Sequence, residues 1–183
     1  MPQSPLIILA KQASPLNGSR YIVIDLAKGH EVGELECPML PQATNARLKF
    51  HSDDEKGSIL LRCGQDNLKI QFEYLRRGWQ NDTRYTLQSG DRLISSACFT
   101  CRKGLTGRAI MTLDNPVQAT FVRRWAWFRA CYELLSPDGK TILGRIEEPT
   151  RLSVTRQFRA ELPGMALPQQ MFCLFLALHL LQT

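Results

Sequence analysis

The stretch that most constrains this chain is its last one. Met171-Phe-Cys-Leu-Phe-Leu-Ala-Leu-His-Leu-Leu181 is eleven residues long, with His179 as its single polar member. Its apolar residues do not gather on one stripe; they cover every face. A helix of that kind is enclosed on all sides or lies in a membrane. Spanning a bilayer takes about 20 residues. The run falls short even with Met165–Leu167 added across Pro168 and Gln169-Gln170. Leu, Met, Ala and Gln favour helix, and Pro168 suits a first helical turn, where its missing N–H costs nothing. A strand is the rival reading, because Phe and Leu are ambiguous in short runs. The preferred expectation is a helix enclosed by protein. A closed or nearly closed sheet is the wrapper that covers all its faces.

The remainder of the chain supplies such a sheet. Period-two patterning predicts strands over Arg20–Ala27, Arg47–His51, Ser58–Cys63, Leu68–Leu75, Thr83–Gln88 and Arg92–Phe99. It continues over Leu105–Leu113, Val117–Arg129, Tyr132–Leu135, Thr141–Ile146 and Arg151–Glu161. Turn chemistry punctuates them at Asn17-Gly18, Lys28-Gly29, Lys56-Gly57, Arg77-Gly78, Ser89-Gly90-Asp91, Asp114-Asn115-Pro116 and Pro137-Asp138-Gly139. Short strands at this spacing point to a sandwich or barrel connected by hairpins.

An internal match adds a second constraint. Tyr21-Ile-Val-Ile-Asp-Leu-Ala-Lys-Gly-His-Glu-Val-Gly-Glu-Leu-Glu-Cys-Pro38 aligns without a gap to Tyr132-Glu-Leu-Leu-Ser-Pro-Asp-Gly-Lys-Thr-Ile-Leu-Gly-Arg-Ile-Glu-Glu-Pro149. Tyr21 meets Tyr132, Gly33 meets Gly144, Glu36 meets Glu147, and Pro38 meets Pro149. Each copy reads as strand, glycine-containing turn, strand. A glycine inside the second strand predicts a bulge or a close backbone approach. Two copies this far apart are halves of one domain, since a repeat array uses shorter periods and at least three units. The expectation is a single domain over 1–183, with halves of roughly 20–115 and 116–183.

Twin β-halves of this pattern, followed by a C-terminal hydrophobic helix, resemble the tubby C-terminal-like superfamily. That superfamily includes tubby domains, phospholipid scramblases and LURP-one-related proteins, and the compact size is most similar to the last of these. The resemblance covers roughly 20–181. It implies a closed antiparallel β-barrel of about twelve strands around a central hydrophobic helix, with two duplicated halves. It transfers no binding residue, because no motif places the family's basic side chains on this chain. The Pro-rich extension, cysteine cluster and acidic calcium segment of a scramblase are not found, so scramblase activity is not carried over.

The net charge of +6 is unevenly spread. Residues 1–101 hold 12 basic and 11 acidic side chains, whereas 102–159 hold 11 basic and 5 acidic. A local surplus of that kind suits an anionic partner; solubility is the plainer explanation. The N-terminus carries no basic n-region, and Leu6–Ala10 is too short for a secretory signal. The expectation is a cytoplasmic protein, peripheral to a membrane at most, with reduced thiols. Its six cysteines serve mostly as small buried apolar residues.

Catalytic and metal motifs are weak throughout. Cys98-Phe-Thr-Cys101 lacks the second ligand pair that zinc needs. It also sits in or beside a strand, where a redox motif does not belong. Gly139-Lys140-Thr141 reads as a Pro-Asp-Gly hairpin turn rather than a phosphate loop. Asp53-Asp54-Glu55 reads as a solvated hairpin tip, and His179 as a core or cap histidine. No metal and no cofactor is expected. The strongest binding candidate is Arg123-Arg-Trp-Ala-Trp-Phe-Arg129. On a strand, Arg123, Trp125, Trp127 and Arg129 share one face, with Arg124 beside them. Arg76-Arg77-Gly78-Trp79 offers a similar set on a loop. Arginine with tryptophan suits phosphate headgroups at a membrane interface; the competing reading places the tryptophans in the core and the arginines on a solvated edge. The expected activity is non-enzymatic binding of anionic phospholipid or a membrane surface. A protein-interaction or scaffolding role is the alternative, and nucleic acid is disfavoured.

Overall fold

The computed structural model describes residues 7–14, 17–37, 56–77, 80–102, 109–126, 129–149 and 155–182, with backbone alone at some strand ends. The strands are β1 (Ile7–Ser14), β2 (Asn17–Asp25), β3 (His30–Glu36), β4 (Lys56–Cys63), β5 (Asp66–Arg77) and β6 (Gln80–Ser89). They continue as β7 (Arg92–Arg102), β8 (Ala109–Asn115), β9 (Ala119–Ala126), β10 (Arg129–Leu135), β11 (Ile142–Glu147) and β12 (Gln157–Glu161). Each strand pairs antiparallel with its successor, and β1 closes the ring on β12. The chain is therefore a twelve-stranded antiparallel barrel.

Period-two burial makes the wall two-faced. Along β4, Ile59, Leu61 and Cys63 point inward, while Ser58, Leu60 and Arg62 point out. Outward positions elsewhere carry charge: Arg20, Glu34, Arg124, Glu133 and Arg145 all stand in ion pairs on the outer surface. That is the reverse of the apolar exterior of a membrane-spanning barrel. Among the described residues no helix is long and apolar enough to cross a membrane.

The lumen holds α1 (Leu167–Gln182). Twelve strands about 4.8 Å apart and tilted by ~40° enclose a cylinder of roughly 12 Å radius. One helix, about 10–12 Å across with its side chains, fills that space together with the inward wall residues. Met171 through Leu178 are accordingly at most 3% exposed. The helix start is fixed by polar side chains. The Gln169 amide oxygen accepts the Ala166 N–H at 2.9 Å, and the Gln170 amide donates to the Met165 carbonyl at 3.0 Å. Near its end, Phe175 packs edge-on to Tyr85, and His179 stacks on Phe175 at 12° while meeting the Phe99 edge. His179 Nε2 is hydrogen-bonded to the Tyr85 hydroxyl at 2.8 Å. His179 is thus a core histidine. Burial lowers its pKa to about 4, so the ring stays neutral.

The sequence match reappears as matched register. Tyr21 opposes Leu35 and Val23 opposes Gly33; likewise Tyr132 opposes Ile146 and Leu134 opposes Gly144. Both hairpins shift register immediately after that glycine pair. A Cβ on Gly33 would lie 2.7 Å from Met171 Cε, and one on Gly144 would lie 2.6 Å from Leu162 Cδ2. A Cβ would also crowd a neighbouring carbonyl, that of Arg62 at Gly33 and that of Glu161 at Gly144, so both glycines sit where wall and core are tightly packed together. The correspondence extends to the preceding strands: Ala10 opposes Val23 as Phe121 opposes Leu134, and Gln12 opposes Tyr21 as Arg123 opposes Tyr132. The recurring unit is β1–β4 against β9–β12.

Some strand expectations shift. β1 was not expected from the alternation, because Leu6–Ala10 reads as a bare apolar run. The strand expected over Val117–Arg129 is split: β9 stops at Ala126, and Arg129 begins β10, which runs back against it. The chain reverses inside the Arg/Trp stretch, so its residues do not share one continuous strand. Arg47–His51 and Asp53–Glu55 lie outside the described residues.

Two outcomes follow for the core. Phe175→Ala is expected to cost about 3–5 kcal/mol in urea denaturation, the usual cost of an aromatic-sized core cavity. The unfolded chain binds a proton at His179 below about 6.5 and the folded chain not until about 4. Stability therefore falls as pH drops through that window, by about 3 kcal/mol in full. His179→Phe removes that portion of the slope, which urea midpoints measured at several pH values for both proteins will show.

Candidate functional site

A meander closed into a ring sends alternate connections to opposite rims. Six stretches join strands on the rim where β1 ends and β2 begins: 14–17, 36–56, 77–80, 102–109, 126–129 and 147–157. On this upper rim the described residues of the stretches include five basic and three acidic ones, and Arg76, Arg123, Arg124 and Trp125 stand beside them at the ends of β5 and β9; Trp79 lies outside the described residues. The stretches of the lower rim, 25–30, 63–66, 89–92, 115–119, 135–142 and 161–167, hold three basic and five acidic residues. The asymmetry between chain halves is, in three dimensions, an asymmetry along the barrel axis.

The described residues expected to bind, Arg76, Arg77, Arg123, Arg124, Trp125 and Arg129, belong to the upper rim. Arg76 and Arg77 end β5, opposite Asn81 and Gln80. Arg123, Arg124 and Trp125 end β9, and Arg129 opens β10 opposite Ala126. Trp127 lies outside the described residues, as does the rest of its turn. β5 and β9 are four strands apart in the wall, or about 19 Å at 4.8 Å per strand. The two arginine sets therefore flank a broad arc of one rim.

Their surroundings differ. Arg124 faces out, and its Nε donates to Glu133 at 2.7 Å. Arg145 reaches the other oxygen of Glu133 at 2.9 Å. The Arg124 hydrogen bond first, and that from Arg145, hold the Glu133 carboxyl below its ordinary range against the desolvation that opposes them. Arg123 occupies the inward register of β9, following Ala119 and Phe121, and is exposed at the mouth. It stands directly across the ladder from Tyr132.

Just inside that mouth lies a buried polar cluster the sequence does not advertise. Glu148 is 2% exposed and takes a two-point contact from Arg156, Nε to Oε1 at 2.9 Å and Nη2 to Oε2 at 3.0 Å. The Arg156 guanidinium lies over the Phe158 ring, 5.0 Å from its centre. Gln12 holds the Arg156 backbone from both sides: its amide oxygen accepts the Arg156 N–H, and its N–H donates to the Arg156 carbonyl. In the internal match Glu148 stands where the first copy has Cys37, whose thiol burial pushes up to about 12. Other positions of the match differ as sharply, Ile22 against Glu133 and Glu34 against Arg145 among them, so no sequence signal singles out the cluster.

A groove of about 550 Å³ runs along the outer wall of β4, β5 and β6. Lys56, Ser58, Lys69, Gln71, Glu73 and Arg84 are among its lining residues. Lys56 Nζ is 2.7 Å from Glu73, and its hydrogen bond lowers the Glu73 pKa. With three cations to one carboxylate, the groove matches the sign of the rim that it approaches.

Catalytic and metal readings gain nothing from the geometry. Gly139 sits at a φ of +69° in the hairpin between β10 and β11, where Asp138 accepts the Lys140 N–H at 3.1 Å. It is a turn glycine. Cys98 and Cys101 both lie within β7, and among the described residues no group of three His, Cys, Asp or Glu side chains is arranged to hold a metal. No family model, no curated protein and no solved structure matches the chain.

Proposed function

We propose that this protein is a non-enzymatic module that docks on anionic phospholipid surfaces through its upper rim. One observation carries the reading: among the described residues, Arg76, Arg77, Arg123, Arg124 and Arg129 come together at strand ends on one rim, with Trp125 beside them, while the opposite rim is acidic. Basic side chains near an anionic bilayer contribute about 1 kcal/mol each. Tryptophan prefers the headgroup level, where one part of its ring is wet and the other apolar. The acidic lower rim turns the molecule's field so that the basic end approaches first. The groove on β4–β6 extends the same sign of charge down the wall.

A protein-interaction or scaffolding role without lipid affinity is the second reading. The lower rim favours it, since Leu26, Val117 and Ile142 are 40–51% exposed there among acidic turns.

Co-sedimentation separates the two. Binding is expected to vesicles of phosphatidylcholine mixed with phosphatidylserine, to weaken as salt rises, and to be lost on phosphatidylcholine alone. Replacing Arg76 and Arg77 by glutamine removes two rim charges, and about 2 kcal/mol corresponds to a roughly 30-fold drop in partitioning. Equal, salt-insensitive failure on both vesicle types overturns the lipid reading and leaves the lower rim as the working surface.

A further inference from the structure

The basic rim contains one place built differently from its counterpart in the recurring unit. Around Tyr21, the position across the ladder is Gln12, and both polar groups of Gln12 near this point are spent on the Arg156 backbone. Around Tyr132, the corresponding position is Arg123, which makes no ion pair among the described residues. Tyr132 is 2% exposed, and its hydroxyl has no hydrogen-bond partner among the described residues. Buried hydroxyls are normally paired, so an orphan of this kind calls for a physical account. Arg156 does not supply the missing partner, since the Glu148 carboxylate already meets it at two points. Of the two arginines whose charge acts on the Tyr132 hydroxyl, Arg123 and Arg156, Arg123 is the one with no ion pair among the described residues.

We infer that Tyr132 and Arg123 form a receptor for a single phosphate group at the mouth of the barrel, the hydroxyl donating one hydrogen bond and the guanidinium supplying the charge. A phosphate oxygen accepts both, and charge-assisted contacts of this type are the short, strong ones. Glu148 is neutralised by its two-point contact with Arg156, which leaves Arg123 as the charge available to the phosphate. The hydroxyl is a donor at neutral pH, because burial raises its pKa to about 12 even though Arg123 and Arg156 pull the other way. This inference deepens the proposed docking on anionic lipid: it names the headgroup chemistry, a phosphate monoester with free oxygens.

The test compares vesicles containing phosphatidic acid with vesicles containing phosphatidylserine at matched surface charge, and adds free inorganic phosphate as a separate arm. The intact protein is expected to prefer phosphatidic acid by about tenfold, the worth of one good hydrogen bond. Tyr132→Phe is expected to abolish that preference, leave phosphatidylserine binding unchanged, and hold or raise the melting temperature, because the lost hydroxyl had no partner among the described residues. Arg123→Gln loses the same preference, and Tyr21→Phe, the control at the corresponding position, keeps it. If the protein binds no vesicle, docking on lipid fails while the phosphate arm still reports. A melting temperature raised by phosphate in the intact protein, and not in Tyr132→Phe, supports the receptor for free phosphate. A preference for phosphatidic acid that survives Tyr132→Phe, or no preference together with no response to phosphate, overturns it.

Discussion

The fold depends on the burial of one helix that has no polar face. A helix with a polar side can rest against a sheet and show that side to water. From Met171 to Leu178 the helix offers water nothing, so the wall around it has to be complete. That demand fixes closure, and the size of the helix fixes circumference. A smaller barrel has no room for it beside inward wall residues, and a much larger one leaves a void. Gly33 and Gly144 then adjust the wall locally, giving up side chains where wall and core are tightly packed together.

The meander turns this closed wall into a molecule with two unlike ends. Stretches far apart in sequence, such as 77–80 and 126–129, meet on one rim because each follows an odd-numbered strand. No local motif is needed to gather arginine and tryptophan; the connectivity does it. The result is a dipolar distribution of charge laid along the barrel axis.

Much of this was legible in the sequence, and the illegible parts have physical causes. The helix was readable because an all-round apolar run of that length has few homes. The hairpins β2–β3 and β10–β11 were readable because a glycine and a tyrosine hold their register in both copies. β1 was missed because its alternation is interrupted by Ile7-Ile8-Leu9-Ala10, a run whose period is ambiguous. The Arg/Trp stretch was read as one strand, because nothing in Trp125–Phe128 resembles turn chemistry. The Glu148–Arg156 pair was invisible because no sequence pattern distinguishes a carboxylate that will be buried from one that will be solvated. Its partner arrives from beyond the turn, on the approach to β12.

Closure of the ring joins the first described strand to the last, with Ile8 beside Ala160 and Ala10 beside Phe158. The seam therefore cannot form until β12 has been made. β1 precedes it in the chain and waits, one edge unpaired, and the lumen stays open until the sixteen-residue helix that follows β12 has arrived. In that interval the nascent sheet has an apolar inner face and a free edge, the state most prone to mispairing. Closure of this barrel comes late in its formation, set off by the arrival of α1.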